Sequence, residues 1–365
     1  MTAPSRIPSG SRSTPVSTAS YEPDTGTFEG AYLSPARMAA VLGAMAALLA
    51  VTMIVAVAYG TVRIDLYRAL TQPATSDHAI LFSARLPRVL MGAVVGAILA
   101  AVGAALQALV RNPLAEGGIL GISGGGALGA ILALTVGYRL GGGPVAIVPL
   151  CAFAMALLST LAVYRLAQVN GRLEPFSLLL IGVIFNAFWG ALILLVNALV
   201  DLYQVHSIIA WLMGSLEAPT YYQVALVAAM GLGGFAALFI RARDMNLLSL
   251  GDDAAADLGV SIEAVRRTIF IATSLMIGAA VSVSGIINFV GLIVPHILRL
   301  ALGADHRLLL PASVLGGAAL LVAADLIARI VIAPAELPVG VITALCGGPF
   351  FIYLLRREER RSLVT

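Results

Sequence analysis

The cationic side chains of this sequence limit the chemistry that the chain can perform on its own. All 22 of them are arginine, and lysine is absent from the 365 residues. A Walker A loop places a lysine on the nucleotide phosphates, and Schiff-base catalysis needs a lysine amine. The sequence therefore excludes ATP hydrolysis through a Walker A loop and every reaction that depends on a lysine amine.

Histidine and cysteine, the other common ligands and nucleophiles, are few and scattered. The histidines show neither an HExxH pattern nor paired spacing, and the two cysteines lie far apart in apolar stretches. This distribution predicts neither a metal site nor a disulfide framework. The residues concerned are His78, His206, His296, His306, Cys151 and Cys346.

The composition is that of an integral membrane protein. Hydrophobic residues make up 60% of the chain and charged residues 11%, with a mean hydropathy of +0.98. Soluble proteins contain roughly 45–50% apolar and about 25% charged residues. The net charge of +3 then reflects basic loops beside a membrane rather than nucleic-acid binding.

Apolar runs bounded by arginine, proline or aspartate predict an all-α, polytopic protein with about ten transmembrane helices. Gly and Pro interrupt the third and eighth runs, so these helices are expected to be short or broken. Residues 1–36 are rich in Ser, Thr, Pro and Gly and are expected to form a disordered tail. The predicted spans are 38–59, 86–110, 116–136, 144–166, 176–199, 220–242, 266–287, 289–303, 310–330 and 338–355.

The arginines predict the orientation of these spans. With ten spans both termini share one side, and that side holds all but six of the arginines. The positive-inside rule places this side in the cytoplasm. The six exceptions are Arg63, Arg68, Arg85, Arg88, Arg139 and Arg329.

Three of the exceptions lie at the outer ends of predicted spans: Arg85 and Arg88 in the second and Arg329 in the ninth. Their side chains could reach the lipid headgroups, or they could form an electropositive rim that receives an acidic partner. Asp325 precedes Arg329 by four residues, a spacing that allows an ion pair along one helix. Such a pair contributes only about 0.3–0.5 kcal/mol when it is exposed.

The long inner connection at 243–265 has helical texture but is too polar to span a membrane. Leucines precede Gly251, and Asp252, Asp253 and Asp257 follow it. This pattern predicts two short helices separated by Gly251, with acidic residues in the first turn of the second, where the helix dipole favours them. The segment is either a solvated connector or a surface on which another protein docks.

Glycines are concentrated in the segment 112–126, where they prevent a uniform helix. Irregular backbone at membrane depth is tolerated when it is buried in protein or faces a water-filled cavity. Gly121, Ser123 and Gly124 are therefore candidates for lining a pathway. Tight packing of helices through small residues is the alternative.

Four long segments, in this order, resemble the FecCD family, the permease subunits of bacterial type II ABC importers for haem, ferric siderophores and cobalamin. The resemblance extends from about residue 40 to residue 357. The segments read RLPRVLMGAVVGAILAAVGAALQALVRNPLAEGGILGISGGGALG, LLSLGDDAAADLGV, GLIVPHILRLALGADHRLLLP and ADLIARIVIAPAELPVGVITALCGGPFFIYLLRR.

The resemblance implies a fold and an assembly. Spans 2–5 and 7–10 form an inverted repeat within a permease domain, here 37–365, and the permease is not itself an enzyme. Two copies form a homodimer, two ATP-binding subunits that use ATP and Mg²⁺ dock on the cytoplasmic side, and a periplasmic binding protein delivers cargo. The membrane is the bacterial inner membrane, and no cofactor is bound covalently.

The resemblance also implies roles for individual residues. Arg85, Arg88 and Arg329 match the arginines that pair with glutamates of the binding protein, and 206–216 matches a short helix closing the periplasmic end. Coupling helices at 244–265 contact the ATPase through Leu247, Leu248, Leu250, Gly251, Asp252, Asp253, Asp257, Leu258 and Gly259. A cytoplasmic gate is expected at Asn112, Leu114, Pro175 and Phe176.

The cargo expected from the resemblance is haem, because the chain looks most like the haemin-uptake members. Residues 172–177 are bulkier and more apolar than the hydroxyl-rich segment of cobalamin members, which disfavours cobalamin; a ferric siderophore is the second candidate. A different class, an ion-coupled secondary transporter, would need intramembrane carboxylates, for which Asp325 and Glu116 are the candidates. A structural scaffold would leave the outer arginines and the long inner connection unexplained.

Overall fold

The structure, a computed structural model, describes residues 34–139, 147–217 and 219–362. Within these ranges, seven helices are long and apolar enough to cross a membrane, and three shorter apolar helices accompany them. Each predicted span corresponds to one of these helices. They are α1 (Pro35–Ala58), α4 (Leu86–Leu109), α5 (Ile122–Arg139), α6 (Ile147–Leu166), α7 (Pro175–Leu199), α9 (Tyr221–Ile240), α12 (Ile262–Ser284), α13 (Val290–Leu302), α14 (His306–Ile330) and α15 (Val339–Ser362).

Short elements connect the long helices at the two ends of the bundle. The α8 end carries α2 (Leu66–Thr71), α3 (Ser76–Ala79), a π-helical turn (Ile80–Arg85) and α8 (Leu202–Leu212). The α10 end carries β1 (Gln168–Val169) paired antiparallel with β2 (Arg172–Leu173), α10 (Ala242–Leu248) and α11 (Asp252–Asp257). A 3-10 turn (Gly117–Leu120) lies inside the bundle, where its Gly118 carbonyl oxygen accepts a hydrogen bond from Asn186 of α7. The short helix implied after the fifth span is thus α8.

The ends of several helices differ from the predicted spans for local reasons. The Ser34 side chain accepts a hydrogen bond from the Arg37 amide and Pro35 opens α1, so this helix begins inside the segment predicted as a tail. Residues 1–33 of that predicted tail lie outside the described residues. The second span was predicted to begin at 86, but its helical path is continuous from Ser76 to Leu109.

The third span is broken where the sequence predicted an interruption. The 3-10 turn ends at Gly121, whose φ of +76° is disfavoured for residues with a Cβ, and α5 begins at Ile122. The eighth predicted span, α13, has 13 residues. Phe289 precedes it with a φ of +71°, and the Glu116 carboxylate accepts a hydrogen bond from the Phe289 amide at 2.9 Å.

Helix α4 lies at the centre of the protein and is buried along most of its length. Two glycines allow its backbone to touch its neighbours. A Cβ on Gly103 would lie 1.7 Å from the carbonyl oxygen of Gly291 in α13, and one on Gly96 would lie 2.3 Å from that of Gly317 in α14. In lipid, close backbone approach of this kind supplies the packing that holds helices together.

Candidate functional sites at the two ends of the bundle

Asp325 of α14 joins two arginines at the α8 end. Its carboxylate lies 2.9 Å from Arg88 Nη2 and 3.0 Å from Arg329 Nε, and its side chain is only 2% exposed. The pair with Arg329 has the i,i+4 spacing recognised in the sequence, whereas the pair with Arg88 connects α14 to α4. Because one carboxylate compensates two buried guanidinium groups, the three side chains form a single electrostatic unit.

Glu336 extends this unit towards the surface. One carboxylate oxygen accepts a hydrogen bond from Arg88 Nη1 at 2.7 Å, and the other accepts one from the Thr61 hydroxyl at 2.6 Å. Burial alone would raise the pKa of Glu336, but the bonds from Thr61 and Arg88 and the charges of Arg88 and Arg329 hold it below its usual range. Glu336 is therefore ionised at neutral pH, and its side chain is 27% exposed.

Arg85 and Arg329 also close the end of α1. Arg85 donates to the carbonyl oxygens of Val57 at 2.9 Å and Ala58 at 3.0 Å, and Arg329 donates to that of Ala56 at 3.0 Å. The last carbonyls of a helix lack partners within the helix and carry its negative dipole end. The two arginines satisfy these groups, which explains why they are buried.

The structure thus corrects one expectation from the sequence. Arg85, Arg88 and Arg329 do not form an exposed rim, because Arg85 and Arg329 are buried and the Arg88 side chain is 12% exposed. The Asp325–Arg329 pair is likewise buried rather than exposed. We call these three arginines, together with Asp325 and Glu336, the outer cluster. Its three arginines and two carboxylates give it one excess positive charge. Sequence reasoning missed Glu336, which lies 248 residues from Arg88.

At the α10 end, Asp252 fastens the short helices to the bundle. Its carboxylate lies 2.7 Å from Arg266 Nη2 on α12. It also pairs with Arg111, which lies two residues beyond the end of α4. Arg111 Nε donates to the carbonyl oxygen of Leu248 at 2.9 Å, and the Leu248 side chain is fully buried. The sequence assigned Leu248 and Asp252 to a partner surface, but the structure buries Leu248. Asp252 forms ion pairs within the chain while its side chain stays 40% exposed, so its contact with a partner stays a prediction.

Other residues of the same segment do form an outward surface. Leu250 is 66% exposed and Leu258 is 60% exposed, and Asp253, Asp257 and Gly259 are exposed with them. We call these five residues the α10–α11 face. Leu247 is half-buried, and Gly251, with a φ of +118°, separates the two helices as the sequence predicted. Exposed apolar side chains rimmed by polar residues are typical of a surface that another protein covers.

Hydrogen bonds of Asn246, which the sequence did not reveal, connect α10 to the start of α14; we call this contact the Asn246 joint. Asn246 accepts a hydrogen bond from the His306 amide at 2.8 Å and donates one to Asp305 at 2.8 Å. Burial would raise the pKa of Asp305, but hydrogen bonds from Arg307 and Asn246 lower it to about 2. Asn246 directly precedes the leucines that drew attention to the segment, and its partner Asp305 is the N-cap of α14.

The predicted gate residues lie at the α10 end, on the segments that precede α5 and open α7. The Asn112 side chain accepts a hydrogen bond from the Leu114 amide at 2.9 Å. Pro175 is the first residue of α7, and Phe176 is 71% exposed. Leu114 is also exposed. The constriction that these residues would form stays a prediction.

The predicted pathway residues have structural neighbours inside the protein. A Cβ on Gly121 would lie 2.8 Å from Phe185 Cβ, and one on Gly124 would lie 3.0 Å from the Asn186 side-chain oxygen. Gly121 and Ser123 are buried. Gly121 and Gly124 therefore pack tightly against α7, which is the alternative left open by the sequence. A pathway lined by Gly121, Ser123 and Gly124 stays a prediction.

Comparisons with known proteins agree on one family. Residues 48–357 match the FecCD transport family. The chain is 44% identical over 293 residues to the cobalamin import system permease protein BtuC of Halobacterium salinarum, covering 80% of this chain and 77% of that protein. It is 40% identical over 302 residues to the hemin transport system permease protein HmuU of Yersinia pestis, covering 81% of this chain and 90% of that protein.

A solved structure has the same architecture. It is described as an inward-facing conformation of a metal-chelate type ABC transporter, and it matches this chain with a TM-score of 0.76 at 30% sequence identity. The match covers 87% of this chain and 99% of the other. The helical, polytopic membrane fold predicted from the sequence is therefore confirmed.

Asp325→Asn tests the outer cluster. The change keeps the shape of the side chain but leaves Arg329 without its carboxylate and Arg88 with Glu336 alone. Removing one partner of a buried ion pair costs about 3–5 kcal/mol, so we expect a markedly lower melting temperature in thermal unfolding of the detergent-solubilised protein.

Asp77→Asn is the matched control for this change. Asp77 lies 4.0 Å from Arg68, whose side chain is 58% exposed, and exposed pairs contribute about 0–1 kcal/mol. Equal melting temperatures for the two variants would contradict the role assigned to Asp325.

Proposed function

Because the chain belongs to the FecCD transport family, whose members are ABC importer permeases, we propose that it forms the transmembrane pathway of an ATP-driven importer. Two copies would surround the pathway, two ATP-binding subunits would dock at the α10 end, and a periplasmic binding protein would dock at the α8 end. The observation that carries this proposal is the family match over residues 48–357. Family members are transport permeases rather than enzymes, so ATP and Mg²⁺ would act in the partner subunit.

The proposed orientation places both termini in the cytoplasm of a bacterial inner membrane. Its support is the excess of arginine on the side of the chain that also holds α10 and α11. The α10–α11 face would then point into the cytoplasm, where an ATPase could reach it. The outer cluster of Arg85, Arg88, Asp325, Arg329 and Glu336 would lie at the periplasmic end.

The contacts of Asp252 and Asn246 support a role for α10 and α11 in coupling. Asp252 links α11 to Arg111 after α4 and to Arg266 of α12, while Asn246 links α10 to the start of α14. A displacement of the α10–α11 face by a partner ATPase would therefore reach three long helices through charged or hydrogen-bonded contacts. The exposed leucines would supply the apolar part of that interface.

The excess positive charge of the outer cluster supports docking of an acidic partner. Arg88 Nη1 is occupied by Glu336, so a carboxylate of the binding protein would replace Glu336 rather than meet a vacant guanidinium group. Complementary charge of this kind sets the orientation and the rate of encounter more than the affinity. The docking role inferred for Arg88 thus requires that Glu336 moves.

We propose haem as the cargo, with a ferric siderophore or cobalamin as the alternatives. The bulky, apolar pair Pro175 and Phe176 at the start of α7 supports a planar, hydrophobic cargo. The similarity to a cobalamin permease is the specific observation that favours cobalamin among the alternatives. No covalent cofactor is required in this chain.

The positions of the buried carboxylates weigh against an ion-coupled carrier. Asp325 is shared by two arginines, and Glu116 accepts the hydrogen bond of the Phe289 amide. A carboxylate that carries a proton or binds sodium during transport must be free to change its partner. Both candidates recognised in the sequence are instead engaged in structural contacts.

Cargo uptake tests the proposal as a whole. Proteoliposomes that contain the permease with its ATPase subunits and binding protein are supplied with haem, a ferric hydroxamate or cobalamin in parallel. We expect ATP-dependent accumulation of haem above that of the other two. Accumulation of cobalamin alone would identify cobalamin rather than haem as the cargo. Accumulation of none of the three would contradict the proposed importer function.

Leu250→Ser together with Leu258→Ser tests the α10–α11 face. These side chains are exposed, so the variant should fold, but binding of the ATPase subunits in a co-purification assay should fall at least about tenfold, a loss of about 1.4 kcal/mol. Leu202→Ser, at an 88% exposed position at the α8 end, is the matched control and should bind as the native chain does. Undiminished binding by the double variant would refute this assignment.

Glu336→Gln tests the outer cluster as a docking site. The substitution removes the internal competitor for Arg88, so the binding protein should associate several-fold more tightly. Glu217→Gln, an exposed position at the same end, makes the same change in net charge and serves as the control. If both variants bind the partner equally, Glu336 is not its competitor.

A further inference from the structure

A groove at the α10 end is unexplained by the proposed transport function. It has a volume of about 670 Å³ and lies between the start of α1 and the end of α9. This size falls within the range of about 300–1,000 Å³ typical of small-molecule sites. Its lining residues are Pro35, Met38, Ala39, Leu42, Phe239, Ile240, Ala242, Arg243 and Arg307.

The walls of the groove are apolar and face outward from the bundle. Met38, Ala39 and Leu42 form one wall on α1, and Phe239 and Ile240 form the other on α9. Ile240 is 77% exposed. In a membrane-embedded protein, apolar side chains on the outer surface of the helices contact acyl chains, so a lipid tail can enter this groove from the bilayer.

The mouth of the groove carries excess positive charge. Asp244 lies 3.1 Å from Arg241 and Asp305 pairs with Arg307, so both neighbouring carboxylates are engaged. Arg37, in the first turn of α1, donates to the carbonyl oxygen of Leu302 at 3.3 Å. Arg243 is exposed, and within the ranges that the structure describes it forms no ion pair. Two arginines line the groove, Arg243 and Arg307. Of these two, Arg307 is paired with a carboxylate, so Arg243 leaves one excess positive charge at the groove.

We propose that this groove binds an anionic phospholipid, with an acyl chain between α1 and α9 and the phosphate on Arg243. Basic pockets between transmembrane helices near the membrane surface are suited to anionic headgroups. Arg243 belongs to α10, so the lipid would brace α10 against α1. The proposal needs only that the chain lies in a bilayer, and it goes beyond the importer function.

Thermal unfolding of the full chain in detergent tests the site, with short-chain phosphatidylglycerol or phosphatidylcholine as the probe. A ligand that binds the folded state raises the melting temperature. We expect phosphatidylglycerol to raise it by a few degrees more than phosphatidylcholine does. Arg243→Gln should remove at least half of that difference, and Arg267→Gln, an exposed arginine of α12 at the same end, should retain it.

Two further variants test whether the lipid response needs the groove rather than charge alone, and whether the chain's own N-terminal segment occupies the groove. Ala39→Trp fills the groove without changing the charge and should abolish the response to phosphatidylglycerol. A native response in Ala39→Trp or Arg243→Gln, or equal responses to the two lipids, would overturn the proposal. A response that appears only after deletion of residues 2–33 would show that this segment, not a lipid, occupies the groove.

Discussion

The structure depends on a carboxylate that two arginines share inside a helix bundle. Asp325 compensates Arg88 of α4 and Arg329 of α14 at distances of 2.9 and 3.0 Å. Removing such charges from water costs several kcal/mol per ion, and only close pairing with further hydrogen bonds repays that cost. The network therefore fixes the register of α4 against α14, closes the end of α1 through Arg329 and Arg85, and positions the connection that contains Glu336.

The same two helices connect the ends of the molecule. Helix α4 runs from the outer cluster to Arg111, which pairs with Asp252, and α14 begins beside the Asn246 joint. Between these ends the helices touch through Gly96 and Gly317, where no side chain separates the backbones. In the proposed function, a partner at either end of the bundle would act on α4 and α14. Polar or charged contacts hold these two helices at both ends, and their backbones touch directly near the middle.

The sequence was a good guide to local features and a poor guide to distant partners. The ten spans, the interruption near Gly121, the short α13 and the two helices around Gly251 follow from composition and spacing along the chain. The spacing of Asp325 and Arg329 also predicted their ion pair, although not its burial. The contacts of Glu336 with Arg88, of Asp252 with Arg266 and of Asn246 with Asp305 depend on which helices become neighbours, and no local pattern contains that information.

In the proposed function, this permease moves cargo only with the energy of a nucleotide-hydrolysing partner. Cargo accumulation in proteoliposomes measures this directly when the permease is reconstituted alone, with an ion gradient, or together with its ATPase subunits, binding protein and ATP. We expect concentrative uptake in the complete system and none by the permease alone. Robust uptake by the isolated chain, driven by the gradient, would contradict it.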